Sequence, residues 1–280
     1  MKQIIKIEKK ECAVYLGDEF VYGQRMHWDN ASNRPLYLSL LRPRSFYAND
    51  IKVEHAPVIV WLCGGGWMQM DRKVWLPELT WFSKHGYAIA SVDYPVTHIT
   101  RYPEQLQDIK EAIRWLRANA EELHLDPTRI CVMGESAGGH LASLIGLTDG
   151  KYDVGSNLDQ SSAVQAVVSW YGPTSPVTLM KELEPTGFVT RNMMPADIEN
   201  YEDALNLVKP GTPPFLLLHG TNDSSVAYTH SENLYEALET AGNTAELFLI
   251  EGAEHADELF IQDEIKQIML DFLNQHLQRR

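Results

Sequence analysis

The sequence has little cysteine. Its three cysteines, Cys12, Cys63 and Cys131, are too few and odd in number for a disulfide framework. Cys63 and Cys131 lie in or directly after apolar runs that are typical of strands. We therefore expect buried, small apolar side chains at these positions and neither a metal site nor a reactive thiol.

Long apolar runs are also missing. Charged residues interrupt the N-terminal stretch 1–10, so it contains no signal-peptide core. No segment is both long and apolar enough to cross a bilayer. From these two absences we expect a cytoplasmic protein.

Positive charge is scarce as well, because 24 Lys and Arg face 38 Asp and Glu, for a formal net charge of −14. Nucleic acids and anionic membranes are polyanions and bind basic surfaces. The sequence therefore predicts neither nucleic acid nor membrane as a partner. We interpret the acidic residues as part of an ordinary solvent-exposed surface.

Six apolar runs follow the first 56 residues at regular intervals, and segments with helical patterns separate them. Unbroken apolar runs are typical of strands covered on both faces, and alternation with helices predicts a doubly wound, mostly parallel sheet. The runs are 57–62, 87–92, 129–133, 164–170, 215–218 and 246–250.

The remaining segments complete this α/β prediction. Apolar residues spaced three and four apart predict a helix near 106–120. The segment 134–147 is predicted as a turn followed by a helix, and 225–241 and 257–277 as two further helices. Short patterns of alternating apolar and polar residues before position 56 predict antiparallel strands at one sheet edge.

We expect a single domain over 1–280. The strand–helix rhythm weakens between 173 and 212, where we predict a small cap or specificity segment.

The segment Gly134-Glu135-Ser136-Ala137-Gly138 matches Gly-x-Ser-x-Gly, with an apolar strand before it and a helix after it. This context is that of the nucleophile elbow of α/β hydrolases, in which two glycines let backbones pack closely around a sharp turn. Ser136 is thus the predicted nucleophile. A glycine-rich turn with a serine cap is the alternative.

An acid and a histidine should follow the nucleophile in that order. Asp223 lies in the loop that follows the apolar run 215–218, and His255 in the loop that follows 246–250. A serine hydroxyl needs a base, and a neutral histidine needs an orienting carboxylate. We therefore predict His255 as general base and Asp223 as its partner.

Other residues of the same types are weaker candidates. His140, His219 and His230 lie in or beside helices and strands, where structural hydrogen bonds are the simpler interpretation. Asp203 and Glu251 do not follow the appropriate strand.

The oxyanion hole is predicted from Gly64-Gly65-Gly66-Trp67, which follows the run 57–62. Glycines allow backbone N–H groups to turn toward a developing oxyanion. We assign the hole to Gly65 and Gly66 together with the N–H of Ala137. A plain glycine-rich turn is the alternative.

From about Val58 onward the sequence resembles hormone-sensitive-lipase-like esterases of the α/β-hydrolase superfamily. It resembles more closely the small bacterial carbohydrate esterases described as bifunctional feruloyl and acetyl-xylan esterases. The similar stretches are 64–67 (GGGW), 93–94 (DY), Asp108 with 112–120 (AIRWLRANA), 134–142 (GESAGGHLA) and 213–215 (PPF).

The resemblance implies an α/β-hydrolase fold and hydrolysis of short acyl esters through an acyl-enzyme, without a metal or an organic cofactor. It also implies that Trp67 lines the acyl pocket, although a core position suits this residue type equally well. Cys63 departs from the family, which usually has histidine before the three glycines. That histidine supports the loop, so its replacement bears on the loop's hydrogen bonding.

These observations predict a serine esterase that releases acetyl or small aromatic acyl groups, with a small-molecule or oligosaccharide ester as substrate. An arylformamidase or other amidase on the same triad is one alternative. A catalytically inactive hydrolase-fold binding protein is another, disfavoured because all three triad candidates are present. The sequence leaves the oligomeric state open, and a homo-oligomer is among the expectations.

Overall fold

The structure is a computed structural model that describes residues 1–26, 33–45, 50–96, 100, 102–183 and 201–277. Within these ranges, eight strands form one sheet in the order β1-β2-β4-β3-β5-β6-β7-β8. The strands are β1 (Ala13–Met26), β2 (Asn33–Arg44), β3 (Ala56–Leu62), β4 (Ala88–Val92), β5 (Leu125–Glu135), β6 (Ala166–Trp170), β7 (Phe215–Gly220) and β8 (Ala245–Ile250).

The sheet is antiparallel at its N-terminal edge and parallel elsewhere. β1 pairs with β2, and β2 with β4, in antiparallel register. Every pair from β4 through β3 and β5 to β8 is parallel. The carboxyl ends of the parallel strands therefore meet at one rim of the sheet, where ligands of such folds usually bind.

Helices cover both faces of the sheet. They are α1 (Leu76–Lys84), α2 (Glu104–Ala118), α3 (Ala120–Leu123), α4 (Ala137–Leu147), α5 (Pro176–Leu183), α6 (Thr229–Thr240) and α7 (Asp263–His276). One apolar cluster lies under α2, α4 and α6, and a second lies under α1 and α7. This arrangement confirms the predicted α/β-hydrolase architecture with antiparallel edge strands.

Two predicted helices differ from their predicted bounds by more than two residues. The predicted helix 225–241 begins only at Thr229, because the amides of Ser225 and Val226 donate to Asp223 Oδ1 instead of starting a helical turn. The predicted helix 257–277 is divided into a 3-10 turn, Glu258–Ile261, and α7. Asp257 caps that turn by accepting from the amide of Leu259.

β8 departs from the expectation of strands covered on both faces. It is the last strand of the sheet, and the side chains of Phe248 and Leu249 are 36% and 39% exposed. An edge position leaves part of an apolar strand in contact with solvent, and the apolar run alone does not reveal such a position.

Three further sequence predictions concern single features. All three cysteines are buried and unpaired, and the burial of Cys63 and Cys131 is as expected. None of the helices in the described part of the chain combines the length and apolarity needed to span a membrane. In the predicted cap segment 173–212, residues 184–200 lie outside the described residues. The described remainder contains α5 and the 3-10 turn Ala204–Leu207.

Candidate active site

Ser136 lies in a sharp turn between β5 and α4, with φ 52° and ψ −120°. A non-glycine residue rarely adopts this backbone conformation, and such strain is typical of functional turns. The flanking glycines permit the turn sterically. A Cβ atom at Gly134 would lie 2.4 Å from the carbonyl oxygen of Gly138, and one at Gly138 would lie 2.0 Å from that of Leu62. Both contacts are too close for any side chain, so the motif requires glycine at both positions.

Ser136, His255 and Asp223 form a continuous hydrogen-bonded network. The Nε2 atom of His255 lies 2.9 Å from Ser136 Oγ, and its Nδ1 atom lies 2.7 Å from Asp223 Oδ2. Because an ionised carboxylate only accepts, Nδ1 carries the proton and Nε2 is free to accept from the serine hydroxyl. This tautomer is the one that a general base requires.

Asp223 is held as a buried carboxylate. Its Oδ1 atom accepts from the amides of Ser225 and Val226 at 2.9 and 2.8 Å, and its side chain is 0% exposed. Burial raises its pKa, but hydrogen bonds from His219 and His255 and from the Val226 amide outweigh burial and lower the pKa well below its ordinary value. Asp223 is therefore ionised at neutral pH.

The glycine loop lies beside Ser136, as the sequence predicts. Gly65, Gly66 and Trp67 all have positive φ, at 126°, 61° and 59°. Among the described residues, the amides of Gly65 and Gly66 have no hydrogen-bond acceptor. Ala137 is the first residue of α4, where helix geometry leaves its N–H without an intrahelical partner. Three free donors thus border the serine.

A cavity of about 620 Å³ opens over Ser136 and His255. Its walls are mainly apolar and come from the glycine loop, from α5 and from the loops that carry the network. The lining includes Trp67, Met68, Pro173, Leu179, Leu183, Val226 and Ala256. Trp67 is at once a wall of this cavity and a core residue, because its side chain is only 2% exposed.

The BD-FAE family model matches residues 45–238, which is more than half of the chain. The chain belongs to the BD-FAE family. The esterase LipC of Mycobacterium tuberculosis is 29% identical over 222 residues, covering 75% of this chain and 55% of LipC. The chain spans about half the length of the curated relatives it matches first.

Solved structures agree with this family. A thermophilic esterase of Thermogutta terrifontis superimposes with a TM-score of 0.71 at 26% identity, covering 96% of this chain and 93% of that one. A truncated carbohydrate esterase from gut microbiota gives a TM-score of 0.75 at 23% identity, with 98% and 99% coverage, and shows the shared fold. The resemblance stated from the sequence is thus confirmed.

The BD-FAE glycine loop has an anchor that the sequence did not predict. Glu135, the residue before the elbow serine, is 7% exposed and accepts a hydrogen bond from the Gly64 amide. The hydroxyl of Tyr94 donates to the carbonyl of Cys63. These contacts support the loop at the position where the family usually has histidine. A charged residue at the end of an apolar strand, just before the serine, was the available signal.

Cys63 itself is an inert thiol. Burial, together with the neighbouring Glu135 carboxylate, raises its pKa to about 12. The thiol is therefore protonated, and its Sγ atom lies 3.8 Å from Glu135 Oε1. Burial also raises the pKa of Glu135, and the hydrogen bond from the Gly64 amide partly offsets this rise.

The competing residues have other partners. His230 accepts from the Thr174 amide at 3.2 Å, and Asp203 accepts from the amide of Leu205 at 2.9 Å. Glu251 is exposed. Among the residues that the structure describes, no cluster of three His, Cys, Asp or Glu side chains is arranged to hold a metal ion.

Proposed function

We propose that this protein is a serine esterase that hydrolyses esters of short, neutral acyl groups through an acyl-enzyme on Ser136. The observation that carries the proposal is the network in which His255 lies 2.9 Å from Ser136 Oγ and 2.7 Å from Asp223 Oδ2. Family membership and the similarity to LipC, which is named an esterase, support the same reaction.

The chemistry begins at the serine hydroxyl. As Ser136 Oγ attacks the ester carbonyl carbon, its proton passes to Nε2 of His255, and the ionised Asp223 stabilises the imidazolium. The carbonyl oxygen becomes an oxyanion and accepts from the amides of Gly65, Gly66 and Ala137. Collapse of this tetrahedral intermediate breaks the bond to the alcohol, which leaves with the proton from His255. Water, deprotonated by His255, then attacks the carbonyl carbon of the acyl-enzyme. Collapse of the second intermediate returns the proton to Ser136 Oγ and releases the acid.

Reactivity of a structural neighbour toward organophosphates supports a nucleophilic serine. The Thermogutta terrifontis esterase is described as phosphoramylated by tabun at 26% identity, and as propionate-bound at 25% identity. An organophosphate adduct requires an activated nucleophile, and propionate is the acid that hydrolysis of a short acyl ester would release.

The cavity supports a small, uncharged acyl group. Leu179 and Leu183 of α5 line it together with Trp67 and Met68, and among the described residues no Lys or Arg contributes to the lining. An anionic acyl group would lose its hydration without gaining a cation. We therefore propose acetyl and small aromatic acyl groups and place carbohydrate among the candidate alcohols, as the carbohydrate esterase with the same fold suggests.

The first experiment compares p-nitrophenyl acetate hydrolysis by the wild-type protein and by Ser136→Ala. We expect a loss of at least about a thousandfold in kcat. Ser161→Ala, which changes an exposed serine outside the cavity, is the matched control and should retain full activity. A wild-type protein that folds but does not turn over the ester would overturn the proposal.

A substrate panel tests the finer assignment. Acetyl, butyryl and feruloyl esters, acetylated xylo- and manno-oligosaccharides and N-formylkynurenine are compared at equal enzyme concentration. We expect deacetylation of the oligosaccharides and slower turnover of N-formylkynurenine than of aryl esters. Aryl-ester activity without any sugar deacetylation would leave the esterase proposal intact and remove carbohydrate from it.

A further inference from the structure

We propose that His140 is a positioning residue for the oxyanion loop, acting as a neutral hydrogen-bond acceptor for Trp67. This inference rests on the proposed function, because it assigns a role within the same acyl transfer. His140 lies one turn after Ser136 in α4, and its backbone amide donates to the carbonyl of Ser136. The helix that follows the nucleophile therefore also carries the proposed support of the loop.

One hydrogen bond connects the two residues. The indole Nε1 of Trp67 lies 3.3 Å from Nδ1 of His140, and the two rings meet edge to face with centroids 5.5 Å apart. An indole N–H can only donate, so Nδ1 must be unprotonated and the imidazole neutral, with its proton on Nε2. Burial lowers the pKa of His140 to about 3, which keeps the ring neutral throughout the working pH range.

The pair is enclosed. His140 is 0% and Trp67 is 2% exposed. The ring of Tyr201 packs against both, at centroid distances of 6.2 and 6.1 Å. Water cannot readily replace either partner in this environment, so loss of the acceptor would leave the indole N–H buried without a bond. The geometry gives His140 a specific partner as well as a place in the core.

Trp67 needs such a support because of its backbone. It follows Gly65 and Gly66 in a run of three residues with positive φ, and it is the one member of the run with a side chain. A non-glycine residue in this region persists only where its surroundings hold it. The side chain of Trp67 is the part of the loop that reaches into the core, so the position of the Gly65 and Gly66 amides depends on where the indole is fixed.

The consequence for the reaction is specific. Oxyanion stabilisation depends on donors held at defined positions before the charge develops. When the indole loses its acceptor, the loop can relax, and the two amides shift away from the oxyanion without any loss of the cavity. This should lower kcat much more than it raises KM, because the displaced donors act mainly in the transition state.

The experiment uses four variants of the full chain with p-nitrophenyl acetate. His140→Phe removes the acceptor and keeps an aromatic ring, Trp67→Phe removes the donor, and the double variant removes both. His140→Asn is the rescue variant, since its Oδ1 can replace the acceptor Nδ1. Active sites are titrated with a fluorophosphonate so that kcat refers to folded, reactive protein.

We expect His140→Phe and Trp67→Phe each to lower kcat by about 10- to 100-fold with KM within about twofold. The kcat of the double variant should be no lower than that of the more impaired single variant. His140→Asn should recover most of the wild-type kcat. Phenylboronic acid, which forms a tetrahedral adduct on the serine, should lose affinity in His140→Phe in proportion to kcat. A residue that merely stabilises the fold would change the thermal midpoint without this parallel loss.

Several results would overturn the assignment while leaving the esterase in place. These are an unchanged kcat per titrated site in His140→Phe, multiplicative losses in the double variant, or His140→Asn as impaired as His140→Phe. If His140→Phe does not fold, unchanged kcat and boronate affinity in Trp67→Phe would overturn the assignment. An inactive wild-type protein would instead overturn the proposed function, and this role with it.

Discussion

The buried imidazole of His219 contacts the carboxylate of Asp223, with Nε2 lying 3.3 Å from Oδ2. The same Nε2 atom lies 2.9 Å from the carbonyl oxygen of Val226, and Ser231 Oγ lies 2.7 Å from Nδ1. Since both neighbours of Nε2 are acceptors, this atom carries the proton and shares it between the Val226 carbonyl and Asp223. His219 therefore helps to hold the carboxylate that orients His255.

The first prediction concerns Asp223. Asp223→Asn preserves shape but replaces the acceptor with an amide that can present a donor to His255, which favours the wrong tautomer. We expect kcat to fall by about three to four orders of magnitude with little change in KM. The measurement is the steady-state hydrolysis of p-nitrophenyl acetate per titrated site.

His219→Gln serves as the comparison, because its amide NH2 can still donate toward Asp223. We expect this variant to stay within about tenfold of wild type. Equal losses in the two variants would contradict the assignment of Asp223 as the direct partner of His255.

A second prediction separates steric clash from backbone strain in glycine positions. Gly138→Ala would place a Cβ atom 2.0 Å from the carbonyl oxygen of Leu62, and we expect it to destabilise the fold by at least about 3 kcal/mol. Gly150→Ala has open space but a φ of +73°, and should cost only about 1 kcal/mol. Urea unfolding of both variants measures the difference, and equal costs would refute the close-packing argument.

The sequence predicts the triad positions because each residue follows a strand whose end can be predicted from the neighbouring residues. Ser136 is flanked by glycines at the end of β5, and Asp223 and His255 follow β7 and β8. The parallel order of the strands then brings the three side chains to one rim. The chemistry of each residue and the order of elements suffice for this much.

Contacts between elements are harder to predict. Glu135 accepts from the amide of Gly64, which is 71 residues away in the sequence, a separation that no local pattern encodes. The start of α6 shifts to Thr229 because a side-chain-to-backbone turn at Asp223 competes with the helix. The first of these is a tertiary contact, and the second is a local turn that the apolar pattern of the helix does not reveal.

The third prediction concerns acyl selectivity. Leu179 is a buried wall of the cavity, so Leu179→Ala should make room for longer chains. We expect the ratio of kcat/KM for butyrate to that for acetate to rise roughly tenfold. Leu158→Ala, at a leucine that is 62% exposed and outside the cavity, is the control and should leave the ratio unchanged. A wild-type enzyme that prefers long-chain esters over acetate would contradict the proposed acyl size.

The fourth prediction concerns stability and pH. The side chain of Asp108 is 0% exposed, and its Oδ1 atom lies 2.5 Å from Nε of Arg25. Burial raises its pKa to about 7, against the opposing effect of Arg25, whereas an unfolded aspartate titrates near pH ~3.9. Between these values the folded protein keeps a proton that the unfolded chain has lost. The free energy of unfolding should therefore fall as pH rises through this range, by at most about 1.4 kcal/mol per pH unit.

Urea unfolding of the wild type and of Asp108→Asn at pH 5, 6, 7 and 8 checks this sign. The stability difference between the two proteins should change in favour of Asp108→Asn as pH rises toward 7, and then level off. Asp159→Asn, at an exposed position, is the control. A difference that is constant from pH 5 to pH 8 would contradict a buried Asp108 that takes up a proton in this range.

The most direct measurement is the site and rate of labelling by a fluorophosphonate probe, read by peptide mass spectrometry. We predict one adduct per chain, on Ser136, and labelling at least about a hundredfold slower in His255→Ala because the hydroxyl loses its base. A folded protein that stays unlabelled, or that carries the adduct on another residue, would contradict the role of Ser136 as an activated nucleophile.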